Sequence, residues 1–218
     1  MKRLIFILFI IASCKNSTST NQAASVDSSK LNSSDTIIKS KNVWLDRLNG
    51  VKYPLPDTIA GKPISFYLDN PKVAAITKDF YKGQFRPTDN DSTIQLLSFV
   101  STNDSTLRPF YRWCLDFTIT ISDGALGEYP GMPALAYATK FPEEFFNYMD
   151  EDMSRQRYEH WTEIIAYSGL NNYNRTTTEI EKEIISNMLS NCHFCDVNTK
   201  SRILAFAHDI TKALKLQD

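Results

Sequence analysis

What this chain lacks narrows the field first. It has no hydrophobic run long enough to span a bilayer. Residues 4–11 are apolar and uncharged, but a spanning helix needs about 20 such residues. It has no excess of basic charge. Lys and Arg number 24 against 25 Asp and Glu, so it carries no electrostatic footprint for nucleic acid. Glycine is scarce, at 7 residues, and no G-x-G-x-x-G follows a strand, which excludes a dinucleotide fingerprint. Histidine is scarce too, at 3 residues. Cys192, Cys195 and His208 match three ligands of a finger spacing, but Lys212, Ala213 and Leu214 stand where the fourth would fall. No metal and no cofactor is expected. Between residues 15 and 42 aromatics are missing altogether.

What is present begins at the N-terminus. Lys2 and Arg3 form a basic head, residues 4–11 an apolar core, and Ala12-Ser13-Cys14 a small-residue end, the order of a secretory signal. Ile11-Ala12-Ser13-Cys14 resembles the lipobox of bacterial lipoproteins. That resemblance implies cleavage before Cys14, lipid on its thiol and attachment to the cell-envelope membrane. Lys15 stands where an aspartate would favour inner-membrane retention, so the implied location is the outer membrane, facing the periplasm. Loss of residues 1–13 removes two bases and leaves 22 against 25 acids, a net charge of −3. The following Ser-, Thr-, Asn- and Lys-rich stretch cannot bury enough apolar surface to offset the entropy of ordering it. The expected organisation is a signal peptide at 1–13, a lipidated N-terminus and disordered tether at 14–42, and a folded domain at 43–218.

Within 43–218 the periodicity predicts an all-α single domain of about seven or eight helices, with a solenoid-like stack as the secondary architecture. One or two helical turns are expected at 43–49. Pro54, Pro56, Gly61 and Pro63 make 51–63 an extended wrap. Helices are expected from 71 to Gly83, from the cap Asn90-Asp91-Ser92-Thr93, and from the similar Asn103-Asp104-Ser105-Thr106. In the last of these, Phe110, Trp113, Cys114, Phe117 and Ile121 form an apolar stripe. Residues 117–121 alternate like a strand, but the longer helical period decides for helix. Further helices are expected at 133–140, 142–149, 154–168, 177–190 and 199–214. The aromatic pairs, such as Phe80-Tyr81 and Phe145-Phe146, are expected in the core.

Candidate chemistry is thin. The loop Asp123-Gly124-Ala125-Leu126-Gly127-Glu128-Tyr129 offers Asp123 and Glu128 as a carboxylate pair for hydrolysis, with Tyr129 as a binding group. The competing reading is a helix end and a sharp turn. Arg108 and Arg112 lie one turn apart on a helix face. They suit an acidic ligand, or internal pairing with Asp116 and Asp123. Asp150, Glu151, Asp152, Glu159 and Glu163 form an acidic stretch around Arg155 and Arg157. Cys192-His193-Phe194-Cys195 suits a structural disulfide or a redox pair. With Cys14 lipidated, Cys114 is the third cysteine and a second choice of partner.

The segment from Phe85-Arg86-Pro87 to Phe145-Phe146, especially Arg108-Pro109-Phe110-Tyr111-Arg112-Trp113 and Asp123-Gly124-Ala125-Leu126-Gly127-Glu128, resembles uncharacterised lipoproteins of Bacteroidota-type bacteria. The resemblance implies no activity. Asp35-Thr36-Ile37 resembles an O-glycosylation site of exported proteins in that group. The functional expectation is a non-enzymatic binding or accessory module for another envelope protein. An Asp123/Glu128 hydrolase and a Cys192/Cys195 thiol or metal protein are the alternatives.

Overall fold

The computed structural model describes residues 42–170 and 175–216, within one unit covering Lys39–Asp218. Cys14, the signal segment and Asp35-Thr36-Ile37 lie outside the described residues. Among the described residues the domain is predominantly helical, with nine α-helices, two short 3-10 segments and two small hairpins.

The N-terminal expectation needs correction. Residues 43–49 form no helix. Strand β1 (Val43–Leu45) pairs antiparallel with β2 (Lys52–Pro54), setting Trp44 opposite Tyr53. The reason is local. Trp44 is buried between exposed Val43 and Leu45, a two-residue period, and Asn49-Gly50 makes a turn in which Gly50 has a φ of 74°. A second hairpin, β3 (Thr58–Ile59) with β4 (Lys62–Pro63), follows. The extended wrap is therefore present, and it carries hydrogen-bonded ends. Tyr67 donates its hydroxyl to the Ile59 carbonyl at 3.1 Å, and Tyr81 donates to Pro56 at 2.7 Å, fixing this segment to the helices beneath.

The eight expected helices are all present, most with shifted ends. A ninth, α1 (Ile64–Leu68), went unread: it is five residues long and anchored by a single buried side chain, Tyr67. Helix α2 (Ala75–Tyr81) starts later than Pro71, because Asn70 draws the Lys72 and Val73 amides into its own turn. Asn90 caps α3 (Asp91–Ser98) by accepting from the Thr93 amide. Asp104 caps the turn that leads into α4 (Arg108–Ile121) rather than the helix itself. Residues 117–121 are helical. Thr118 and Thr120 send their hydroxyls to the carbonyls four residues back, at 2.8 and 3.0 Å, which accommodates β-branched residues in a helix.

The expected loop 122–133 is shorter than its glycines suggested. Residues Gly124–Glu128 form a 3-10 turn, and α5 (Gly131–Lys140) already begins at Gly131. The remaining helices are α6 (Pro142–Asp150), α7 (Gln156–Ser168), α8 (Thr177–Ser190) and α9 (Val197–Lys215). α5 packs on α7 and α7 on α9, while α8 lies against α9 and α4 against α7. One continuous core joins them. At one end Trp44, Phe80 and Phe117 meet edge to face or tilted, with centroids 5.1–6.0 Å apart. At the other, Phe145 sits 4.8 Å from Phe206 and 5.9 Å from Trp161. The aromatic pairs are core, as their clustering implied.

Candidate functional site

Helix α4 organises the polar interior. Its apolar stripe faces the core, and its first turn and a half carry Arg108 and Arg112, both 6% exposed. A buried guanidinium keeps its charge and must find acceptors. Arg108 donates from Nε to Glu144 at 2.8 Å and from Nη1 to the Thr102 carbonyl at 2.7 Å, and its plane lies over Phe141. Arg112 donates from Nη1 to the Tyr137 hydroxyl at 3.0 Å and to Glu144 at 3.3 Å, and Tyr137 donates to the same Glu144 oxygen. Internal pairing is thus present, but the partner differs from expectation. It is Glu144 of α6, and neither Asp116 nor Asp123. Asp123 lies too far along the chain to share the α4 face. Asp116 is taken by other donors.

Those donors come from α6 and α7. Asp116 accepts from the Tyr148 hydroxyl at 2.7 Å and from Trp161 Nε1 at 2.6 Å, with Arg157 Nε at 3.6 Å. The guanidinium carbons of Arg112 and Arg157 lie 3.9 and 4.0 Å from the centre of the Tyr148 ring. Burial, and then the Asp116 carboxylate, push the Tyr148 phenol well above its ordinary pKa, so it stays a neutral donor. Burial likewise raises Tyr137. Glu144, Tyr137 and Tyr148 went unread in the sequence, since they meet the two arginines only through tertiary contact, and Arg157 was read only as a counter-charge of the acidic stretch. Glu144, at the third residue of a Pro-initiated helix, looked like ordinary first-turn charge.

The glycine loop is arranged differently. Asp123 and Glu128 stand before and at the end of the 3-10 turn, both exposed to solvent. Asp123 lies 3.8 Å from Arg86, which is bound mainly to buried Asp46 through Nε at 2.7 Å. Tyr129 donates its hydroxyl to Asp89, whose carboxylate raises the phenol above its usual value. Three acids of the acidic stretch are engaged: Asp150 pairs with Arg202 at 2.6 Å, Glu151 is 3.8 Å from Arg157, and Asp152 accepts from the Ser154 and Arg157 amides, while Glu159 and Glu163 are exposed.

The cysteine alternatives separate cleanly. Cys192 and Cys195 are joined by a disulfide, with Cα atoms 5.2 Å apart, while Cys114 is an unbridged, fully buried thiol whose burial raises its pKa well above the ordinary value. The pairing to Cys114 is therefore corrected. Between the bridged cysteines, Phe194 is 94% exposed, and Val197 at the start of α9 is 84% exposed. Among the described residues no group of three or more His, Cys, Asp or Glu side chains is placed to hold a metal ion, and no helix is long and apolar enough to cross a membrane.

Two clefts border these groups. One, of about 450 Å³, lies between the extended segment 54–60, Arg112, Trp113 and Asp116 of α4, and Tyr148, Glu151 and Arg157. The other, of about 620 Å³, lies between α6, α7 and α9 beside Arg155, Tyr158, Arg202 and Asp209. Compared with protein-family models, curated proteins and solved structures, the chain matches none.

Proposed function

We propose that this chain is a lipid-anchored envelope protein that serves as a non-enzymatic binding or accessory module for another envelope protein. Lipid on Cys14 holds it to the membrane, with the outer membrane the favoured location, and residues 15–42 act as the tether. The observation that carries the binding reading is the disulfide-closed turn 192–195. It presents Phe194 almost wholly to water at a covalently fixed position, with Val197 three residues on. Phe194 and Val197 supply an exposed apolar pair beside the bridge, which supports a contact role because aromatic anchors dominate interface energetics. The hydrolase alternative draws less support, because Asp123 and Glu128 are both exposed and Asp123 faces Arg86.

The test is a photo-crosslinking residue at position 194 in the native envelope, with Phe194→Ser as the comparison for co-purification. One dominant stoichiometric adduct, whose protein is no longer recovered with Phe194→Ser, is the expected result. Equal recovery with Phe194→Ser would remove the turn as the docking element. A Cys14→Ala chain that still carries lipid would remove the anchor.

A further inference from the structure

The β1–β2 hairpin has one face in the core and an apolar face in water. Trp44 and Tyr53 stand opposite each other and turn inward, with ring centroids 5.1 and 5.4 Å from Phe117, and the Trp44 indole donates to the Phe80 carbonyl at 2.9 Å. Side chains alternate across a strand. Val43 and Leu45, with their partners Pro54 and Lys52, therefore stand on the outer face, and all four are exposed. Leu48, in the turn between the strands, carries the apolar surface to the tip. It is 68% exposed, against 52% for Val43 and 46% for Leu45. The turn is held open in this form: Asp46 accepts the Leu48 amide and Asn49 the Val51 amide, each at 2.9 Å. Single apolar residues on a surface are ordinary. Three on one short hairpin seated on the core form a face.

The charge of this segment is opposite to that of the rest. Residues 39–56 contain Lys39, Lys41, Arg47 and Lys52 against one acid, Asp46, which is buried on Arg86. Arg47 and Lys52 are exposed. From residue 57 onward the chain holds 16 Lys and Arg against 22 Asp and Glu. Of the acids near the hairpin, Asp57 accepts from Asn42 and Asp123 faces Arg86. A surface both apolar and basic matches the boundary of an anionic bilayer, where apolar groups enter the acyl edge and cationic heads stay at the headgroups. A stable protein interface takes about 20–30 residues a side, more than residues 43–54 supply. Docking beside a covalent anchor needs less, because the anchor keeps the hairpin at high effective concentration. The hairpin is the first described element after Cys14, the proposed point of lipid attachment.

We propose that this hairpin docks on anionic lipid, with Leu48, Leu45 and Val43 in the headgroup–acyl boundary and Arg47 and Lys52 on lipid phosphates. The proposal rests on the membrane location given above and is separate from the Phe194 turn. The test uses the full chain, isolated from its native envelope, with dansyl-alanine at position 48. It is placed on vesicles of phosphatidylglycerol and phosphatidylcholine in equal parts, and on phosphatidylcholine alone. Emission is expected to shift to the blue on the anionic vesicles and to be quenched by acyl-brominated lipid. The same probe at Leu204, exposed on α9, is expected to stay unchanged. Arg47→Gln with Lys52→Gln is expected to lower the ratio of docked to free hairpin about thirtyfold, the equivalent of about 1 kcal/mol for each base. Both side chains are exposed, so the melting temperature is expected to match wild type. Intact mass reports lipid on Cys14 separately, so a chain without lipid removes the anchor while the probe at 48 still scores the hairpin. An unshifted probe at 48, equal quenching at 48 and 204, or undiminished quenching in the double variant would each overturn the proposal. So would a shift in native envelope membranes that protein-free vesicles do not reproduce, which would assign the hairpin to a protein contact.

Discussion

At the scale of single residues, what decides stability here is which charged groups are buried with a partner. Asp46 has no exposed side-chain surface and accepts from Arg86 through both oxygens, at 2.7 and 3.0 Å, and from the Leu48 amide. The hydrogen bond to Arg86 is the main cause that holds its carboxyl below the ordinary 3.8. Asp46→Ala leaves Arg86 without its main partner, and removing one member of a buried pair costs about 3–5 kcal/mol. Urea denaturation is expected to show a loss in that range. A loss under 1 kcal/mol would mean that Asp123, 3.8 Å from the same guanidinium, takes over. Arg155 illustrates the opposite case. It sits at φ 64° just before α7, a left-handed conformation that costs a side chain energy and glycine almost nothing. Arg155→Gly is expected to leave the melting temperature unchanged or slightly raised. A clear drop would show that the Arg155 contact over Tyr158 outweighs the backbone strain.

At the scale of elements, the contact between α5 and α7 depends on two glycines, Gly131 and Gly169. A Cβ on Gly131 would collide with the Gly169 backbone nitrogen and lie 2.5 Å from the Ile164 carbonyl, and one on Gly169 would lie 2.7 Å from the Gly131 carbonyl. The start of α5 and the end of α7 therefore touch backbone to backbone. Gly131→Ala is expected to destabilise by about 1–3 kcal/mol, the usual range for overpacking, or more because backbone must move. A thermal midpoint equal to wild type would show that α5 can shift freely. This contact joins residues 38 positions apart, and no local rule reveals it. The same distance in sequence hid Glu144, which lies 36 and 32 residues from the arginines it serves. Local signals were legible. The reading of 177–190 matches α8 residue for residue, and its capping box of Thr176 and Glu179 is complete within four residues. α1 was illegible because five residues cannot sustain a helix on propensity. It exists because Tyr67 is packed on Phe110 and bonded to Ile59. The strand at Val43–Leu45 was misread as helix because three residues hold too little of either period, and only its pairing with Lys52–Pro54 decides.

For the whole molecule, the lowered carboxyls form a pattern that neither residue nor element shows alone. Besides Asp46, the depressed groups are Asp152, Glu179 and Asp196. Each of these three accepts from backbone amides where a helix of the C-terminal half begins: Asp152 from Arg157 ahead of α7, Glu179 from Thr176 at α8, and Asp196 from Thr199 at α9. Amide donation to the charged form is the leading cause of the shift in all three, and it brings Asp152 to about 2. A carboxyl whose folded pKa lies below its unfolded value contributes stability that is fully present above the unfolded value, 3.8 for Asp and 4.5 for Glu. That contribution is lost as pH falls through the depressed value. Stability is therefore expected to be flat between about pH 5 and pH 8, to decline below that range toward pH 2, and to fall on the alkaline side, where the buried Cys114, Tyr137 and Tyr148 must stay protonated. Because three of the four groups sit at the starts of α7, α8 and α9, those helices are expected to lose hydrogen-exchange protection first on acidification. Helix α4, whose first turn is held by the Asp104 turn and by the arginine network, is expected to retain protection longest. Protection that vanished from α4 and α9 at the same pH would instead indicate that the shared core unfolds as one unit, with the helix caps following it.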